Sequence, residues 1–273
     1  VSDPVFVAER EVWRDAGGFS SGGRAIPEES AVALSYDGGT FAVMMATPSD
    51  LEDFAVGFSL SEGVISSPRQ ITLLDVVTLE AGVDVRMWLD APRGDELRQR
   101  RRHLAGPTGC GLCGIDSIAE AVRPAAIVGS GVRVSPQQIM AAMAALPPLQ
   151  ALNIATRAVH AAAFWHPRRG IVALREDVGR HNALDKLAGA LARQAQPGVE
   201  GAVLLTSRVS VEMVQKTAAI GASVIVSVSA PTALAVRTAQ AANITLCAIA
   251  RADGFEVFSH AHRISSGASS DVA

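Results

Sequence analysis

The chain has 273 residues, a formal net charge of −3, 49% hydrophobic and only 4% aromatic residues. This slightly acidic balance leaves no electrostatic footprint for nucleic acid or an anionic membrane surface, so any anion site must be local. No apolar run reaches the ~18–20 residues of a membrane-spanning helix, and charges scattered through residues 1–14 interrupt the apolar stretch of a secretion signal, so a cytoplasmic protein is expected.

Residues 1–26 are read as an N-terminal extension. The apolar runs 31–36 and 40–46 flank Asp37-Gly38-Gly39 and predict a β-hairpin. Pro48-Ser49-Asp50-Leu51-Glu52 signals a helix start, with Ser49 and Glu52 at capping-box spacing, and the helix should run to Glu62-Gly63. Runs 71–79 and 83–89, parted by Ala81-Gly82, predict a second strand pair, which completes a small β-rich lobe over 27–90. Residues 91–114 have no period and carry Arg98-Gln99-Arg100-Arg101-Arg102-His103; a mobile basic loop is expected, ending in Cys110-Gly111-Leu112-Cys113, with a short helix over 115–122. Ser135-Pro136-Gln137-Gln138 starts a further helix, with Pro at its first position, that stops before Pro147-Pro148.

From about residue 154 the chain alternates strands near 171–175, 203–207, 224–228 and 244–250 with helices near 179–195, 209–220 and 231–242. That alternation predicts an α/β core over 115–263 with a parallel sheet and crossover helices, followed by a flexible tail, 264–273. The scarcity of aromatics suits tight helix-on-sheet layers built from Ala, Val, Leu and Ile. Such sheets hold ligands beyond the carboxyl ends of their strands. The residues there are Asp177, Gly179, Arg180 and His181; Thr206, Ser207 and Arg208; Ser229 and Pro231; and Arg251, Ala252, Asp253 and Gly254. Three of these clusters precede or open helices, whose free N–H groups favour anions. Any one of the arginines alone is more simply read as solvated or paired with an acid such as Asp177. Three at strand ends favour a phosphate-bearing ligand.

Three cysteines are an odd count for a disulfide framework, so reduced thiols are expected. Cys110 and Cys113 have the spacing of half a zinc site, a thiol redox pair or a persulfide carrier, and spacing alone does not choose among them. Zinc would need two more ligands; Cys247 sits in an apolar run as a small buried hydrophobe, and no histidine pair lies near, so no metal site is predicted. Gly109, Gly111 and Gly114 keep the pair open, and the upstream arginines favour thiolate over thiol. His181 with Asp185 and Asn182 with Lys186 read as helix-surface pairs, and His160 as a satisfied core histidine. His260 and His262 alternate near the C-terminus with nothing beside them to complete a metal site.

These motifs together resemble the FdhD/NarQ family. The resemblance rests on Thr47-Pro48 with Asp50-Leu51-Glu52-Asp53, on Gly109-Cys110-Gly111-Leu112-Cys113-Gly114, on the unbroken block Glu176-Asp177-Val178-Gly179-Arg180-His181-Asn182-Ala183-Leu184-Asp185-Lys186, and on Thr206-Ser207-Arg208-Val209-Ser210 and Ser229-Ala230-Pro231-Thr232. It covers roughly residues 27–263, and the eleven-residue block is its most specific part.

The resemblance implies a sulfurtransferase that takes sulfur from a cysteine desulfurase and passes it to the molybdenum bis(molybdopterin guanine dinucleotide) cofactor needed by formate dehydrogenase. It makes Cys110 the persulfide carrier and Cys113 its partner, and it places the guanine nucleotide at Ile249, Ala250, Arg251, Ala252, Asp253 and Gly254. Arg180, His181 and Arg208 join these as cofactor-binding candidates from the strand-end argument. The resemblance also implies a homodimer and a cytidine-deaminase-like three-layer α/β/α core. The deaminases' H-x-E element is missing, which disfavours deamination; a non-catalytic cofactor chaperone is the alternative. Thr156-Arg157-Ala158-Val159-His160 stands where relatives commonly read T-G-G-x-H, which puts a backbone-contact role for that stretch in doubt.

Overall fold

The computed structural model describes residues 1–94 and 124–265. Strands β1 (Val5–Arg14) and β2 (Gly18–Pro27) form a separate two-stranded antiparallel hairpin. Its sequence gave no strand signal because both faces are largely exposed, down to Phe6, Trp13 and Phe19, so no inward–outward alternation marks it.

The expected hairpin forms from β3 (Ser30–Tyr36) and β4 (Gly39–Ala46). Asp37 and Gly38 turn it with φ of 49° and 81°, consecutive left-handed residues that match the twist of the strands. The second expected pair, β5 (Ile71–Leu79) and β6 (Gly82–Leu89), is also antiparallel, and β6 lies parallel to β3 in a sheet of order β4-β3-β6-β5. Helix α1 (Leu51–Ser61) buries Phe54 and Phe58 against Tyr36, Val85 and Met87 of this sheet. The Ser49–Glu52 capping box does not form. Asp50 occupies the cap in a left-handed conformation, φ 52°, with no side-chain cap bond. Its carboxylate instead lies 3.4 Å from Arg175, so a long-range ion pair displaces the local motif.

The core sheet runs β7 (His160–His166), β8 (Gly170–Asp177), β9 (Ala202–Leu205), β10 (Val224–Ser227), β11 (Thr245–Arg251) and β12 (Gly254–Ser259), in the order β12-β11-β10-β9-β7-β8. It is mixed rather than parallel: β9, β10 and β11 are mutually parallel, while β7 and β12 run against their neighbours. The joints β7–β8 and β11–β12 are too short for a crossover, which forces antiparallel pairing. β7 escaped the sequence reading because its residues are buried on both faces, leaving no period-two pattern. Since β8 opposes β7 and β7 opposes β9, β8 still ends on the same edge as β9, β10 and β11.

Among the described residues, five helices accompany this sheet: α2 (Pro136–Ala144), α3 (Ala151–Thr156), α4 (Arg180–Arg193), α5 (Val211–Ile220) and α6 (Ala233–Ala241). Leu184, Leu187, Met213, Val214 and Ala235 from α4, α5 and α6 pack against Phe164, Val203, Ile225 and Leu246 on one face. Ile139 and Met143 of α2 pack with Ala163, Leu204, Val226 and Cys247 on the other, so helices cover both faces of the sheet. The capping box predicted at α2 forms in both directions, Gln138 N–H donating to Ser135 Oγ at 3.1 Å and Ser135 N–H to Gln138 Oε1 at 2.9 Å.

The small sheet meets the core where α1 crosses α4, and the crossing is glycine on both sides. A Cβ at Gly57 would stand 1.7 Å from the Asp185 carbonyl oxygen, and one at Gly189 1.8 Å from that of Asp53. Neither obstacle is a flexible side chain, so the helices would have to separate. Gly57→Ala should therefore lower stability by about 3 kcal/mol or more in urea unfolding, at the upper end of overpacking costs. Arg157 closes α3 at φ 60°, a conformation that suits glycine and costs a residue with a Cβ. Arg157→Gly should raise the unfolding free energy by about 0.5–1 kcal/mol, the reverse of an ordinary glycine substitution.

Candidate functional site

The block from Glu176 to Lys186 joins the end of β8 to the first half of α4, and most of it is buried. Glu176 accepts hydrogen bonds from the Leu152 and Asn153 N–H groups, at 2.8 and 2.9 Å, at the N-terminus of α3. Asp177 and Lys186, both fully buried, form an ion pair at 2.6 Å. The Thr47 N–H donates to Asp177 at 3.0 Å, and Lys186 donates to the Thr47 carbonyl at 2.9 Å. Asn182 donates to the Met45 carbonyl at 2.8 Å. Asp185 accepts from Ser61 at 2.7 Å and pairs with Lys216 at 2.7 Å.

The expectation of helix-surface pairs at Asn182, Asp185 and Lys186 is therefore corrected. They fasten the β3–β6 sheet and α1 to the core. Removing one partner of such a pair strands a buried charge, at a cost of about 3–5 kcal/mol.

Two members of the block face the sheet edge instead. Arg180 and His181 open α4, and His181 Nε2 lies 3.9 Å from Glu212 Oε2 in the first turn of α5, an ion-pair rather than a hydrogen-bond distance. His160, at the head of β7, lies between the ends of β8 and β9. Burial first, then the Arg180 guanidinium, hold its imidazole below the ordinary histidine range, against the pull of Asp177. His160 is thus partly buried beside charged groups, not the enclosed core histidine expected. Arg180 Nε and His181 Nε2 are buried there with no hydrogen-bond partner. Native interiors rarely leave such atoms orphaned, so this is a candidate place for a water or a bound group to complete the bonding.

Further along the edge, Arg208 is exposed between β9 and α5. The Ser229 carbonyl accepts from the Ile249 N–H at 3.2 Å, which ties the loop after β10 to β11. Ile249 takes φ 53°, a marked strain for a β-branched residue. Ala250 is buried, whereas Arg251, Ala252 and Asp253 are exposed, and Ala252-Asp253 turn the chain into β12 at Gly254. The four predicted clusters do share one edge, spread along it, with Thr206–Arg208 and Ser229–Pro231 between its two ends. Arg180 and His181 with His160 stand at one end, and residues 249–254 at the other. Glu212 and His160 were missed as edge residues: nothing local in their sequence signals a partner on another helix or strand.

Cys110 and Cys113 lie outside the described residues. Cys247 is fully buried, and desolvation pushes its thiol up to about 12, so it is inert at neutral pH. Among the described residues no group of three or more His, Cys, Asp or Glu is placed to hold a metal ion, and no helix is long and apolar enough to cross a membrane.

Residues 27–265 match the model of the FdhD/NarQ family. The chain belongs to that family. Among FdhD/NarQ relatives, it is 55% identical over 246 residues to the sulfur carrier protein FdhD of Agrobacterium fabrum, covering 90% of this chain and 91% of the relative. It is 52% identical over 248 residues to that of Brucella abortus, covering 90% and 92%, and 49% identical over 244 residues to that of Cupriavidus necator, covering 89% and 85%. In fold it is similar, with a TM-score of 0.76 and 24% identity, to a Desulfotalea psychrophila crystal structure of a protein proposed to be a formate dehydrogenase accessory protein. That likeness covers 96% of this chain and 100% of the other. The resemblance seen in the motifs is therefore a family relationship over nearly the whole chain.

The His181–Glu212 contact has a pH signature. The imidazole facing it, aided by the Ser210 hydroxyl and the amide at the head of its own helix and opposed by burial, pulls the Glu212 carboxyl from 4.5 down to about 2. A depressed carboxyl adds stability above its unfolded value and loses it as pH falls through the folded one. The wild type should lose this contribution between 4.5 and about 2. Glu212→Gln should flatten acid unfolding in that window, read by circular dichroism, while leaving the slope above it unchanged.

Proposed function

We propose that this protein is a sulfur carrier in formate dehydrogenase maturation, with Cys110 as the persulfide-bearing residue. The observation that carries the reading is the family match across residues 27–265, which includes the Cys110–Cys113 pair and joins the chain to relatives named as sulfur carrier proteins. The burial of Cys247 supports it by elimination. Sulfur carriage needs an accessible thiolate, and of the three cysteines only Cys110 and Cys113 remain for that role.

In this reading the Cys110 thiolate attacks the outer sulfur of a cysteine desulfurase persulfide. The S–S bond to the desulfurase breaks, its cysteine leaves as thiolate, and Cys110 holds the sulfane sulfur. Cys113 stands close enough in sequence to take part in release. The acceptor is the molybdenum bis(molybdopterin guanine dinucleotide) cofactor, a substrate here, destined for apo-formate dehydrogenase. Residues 249–254 would hold a guanine nucleotide, supported by the strained, partly exposed backbone at the end of β11. We also propose a homodimer in the cytoplasm, and a cytidine-deaminase-like core, for which the helices on both sheet faces are the support.

Incubation with a desulfurase and cysteine should add about 32 Da, one sulfur atom, to the peptide carrying Cys110 and nothing to Cys247. Cys110→Ala should abolish formate dehydrogenase maturation in cells. No adduct on Cys110, or full maturation by a Cys110→Ala/Cys113→Ala double variant, would overturn the reading in favour of a cofactor chaperone that carries no sulfur.

A further inference from the structure

The edge of the core sheet is long, and its basic groups are not in one place. From β8, which leads into Arg180 and His181, to β11, which carries residues 249–251, there are four inter-strand steps. At about 4.8 Å per step the two ends are about 19 Å apart, beyond the reach of one phosphate or of one nucleoside diphosphate lying across the edge.

The end at β8 has its own chemistry. Arg180 Nε can only donate a hydrogen bond, and it is buried with no acceptor. His181 Nε2, one residue on, is buried and faces the Glu212 carboxylate at 3.9 Å, beyond hydrogen-bond distance. The acids nearby are already matched. Asp177 is held by Lys186 at 2.6 Å inside the core and accepts from Thr47, Gly179 and Asn182, while Glu212 faces His181 across 3.9 Å. His160, with its imidazole held below the ordinary range, adds a neutral polar group rather than a competing charge. The Arg180 charge is therefore left for an incoming ligand. A cation with an unfilled buried donor calls for an anionic, acceptor-rich group, and phosphate oxygens fit both requirements.

We infer that Arg180 and His181, with His160 beside them, form a second anion subsite for a phosphate-bearing group, separate from the strand end at 249–254, and that Glu212 is a positioning residue that orients His181. The inference rests on the proposed cofactor reading and sharpens it: the ligand is an extended one that puts phosphates at two places along the sheet edge. Glu212 acts through His181 and touches no ligand itself.

The test uses the full chain and inorganic pyrophosphate as probe, followed by titration calorimetry and by the side-chain NMR signals of the histidines. Saturable binding is expected in the wild type, with the His181 ring signals moving on titration. Arg180→Gln should weaken pyrophosphate by about tenfold, the worth of one charge-assisted hydrogen-bonded contact, with an unchanged melting temperature. Arg251→Gln, at the far end, should leave pyrophosphate-induced His181 shifts intact. Glu212→Gln should weaken pyrophosphate less than Arg180→Gln and change the His181 tautomer pattern, which a purely structural role would not move. No saturable binding, unmoved His181 signals in the folded wild type, or equal affinity in Arg180→Gln would overturn the inference. Persulfide formation on Cys110 is independent of all three outcomes, so the failure of this subsite and the failure of the sulfur-carrier reading are distinguishable.

Discussion

The contact on which the rest of the molecule depends is the crossing of α1 over α4. Backbone meets backbone at Gly57 and Gly189, with no room for a side chain on either helix. That closeness brings Asp53, Ser61 and Asp185 within hydrogen-bonding range of groups on the other unit, and it lets the Asp177–Lys186 pair reach Thr47. A β-rich unit with its own apolar core, built around Tyr36, Phe54 and Phe58, is thereby locked onto an α/β core of different architecture. Buried ion pairs add little net stability, but breaking one is expensive, so they fix a single relative placement of the two units.

This fastening explains why the eleven-residue block is so dense in polar residues. Asp177 ends β8, Arg180 begins α4, and between them the chain turns with Gly179, where a Cβ would meet the Asn182 side chain at 2.8 Å. The first residues of the block hold α3, the middle ones face the sheet edge, and the last ones grip the N-terminal unit. Structure and site are thus laid down in one stretch of chain, and the position of Arg180 and His181 follows from buried charges a few residues away.

The mixed sheet has a functional consequence as well. A parallel sheet would gather its strand ends naturally; here antiparallel β7 sits between β9 and β8 and still leaves all four carboxyl ends on one side. The inserted strand contributes its own first residue, His160, to that side, and it lengthens the edge by one step. The separation between the β8 end and the β11 end is therefore a property of topology.

Much was legible from the sequence alone. The Asp37-Gly38 turn, the capping box at Ser135, the positions of β8 to β11 and their helices, and the inert character of Cys247 all follow from local chemistry: backbone preferences, hydrogen-bond spacing and apolar runs. What only the tertiary structure decided is where distant residues meet. Ser49 lost its cap because Arg175 reaches Asp50; Asn182, Asp185 and Lys186 are interior because a second helix lies on them; and His181 acquires Glu212 from a neighbouring helix. A carboxylate and a lysine four residues apart look the same on a solvated helix and on a buried one. The difference is set by what packs against them, and that depends on two glycines, one on each helix, whose meeting no single stretch of sequence can announce.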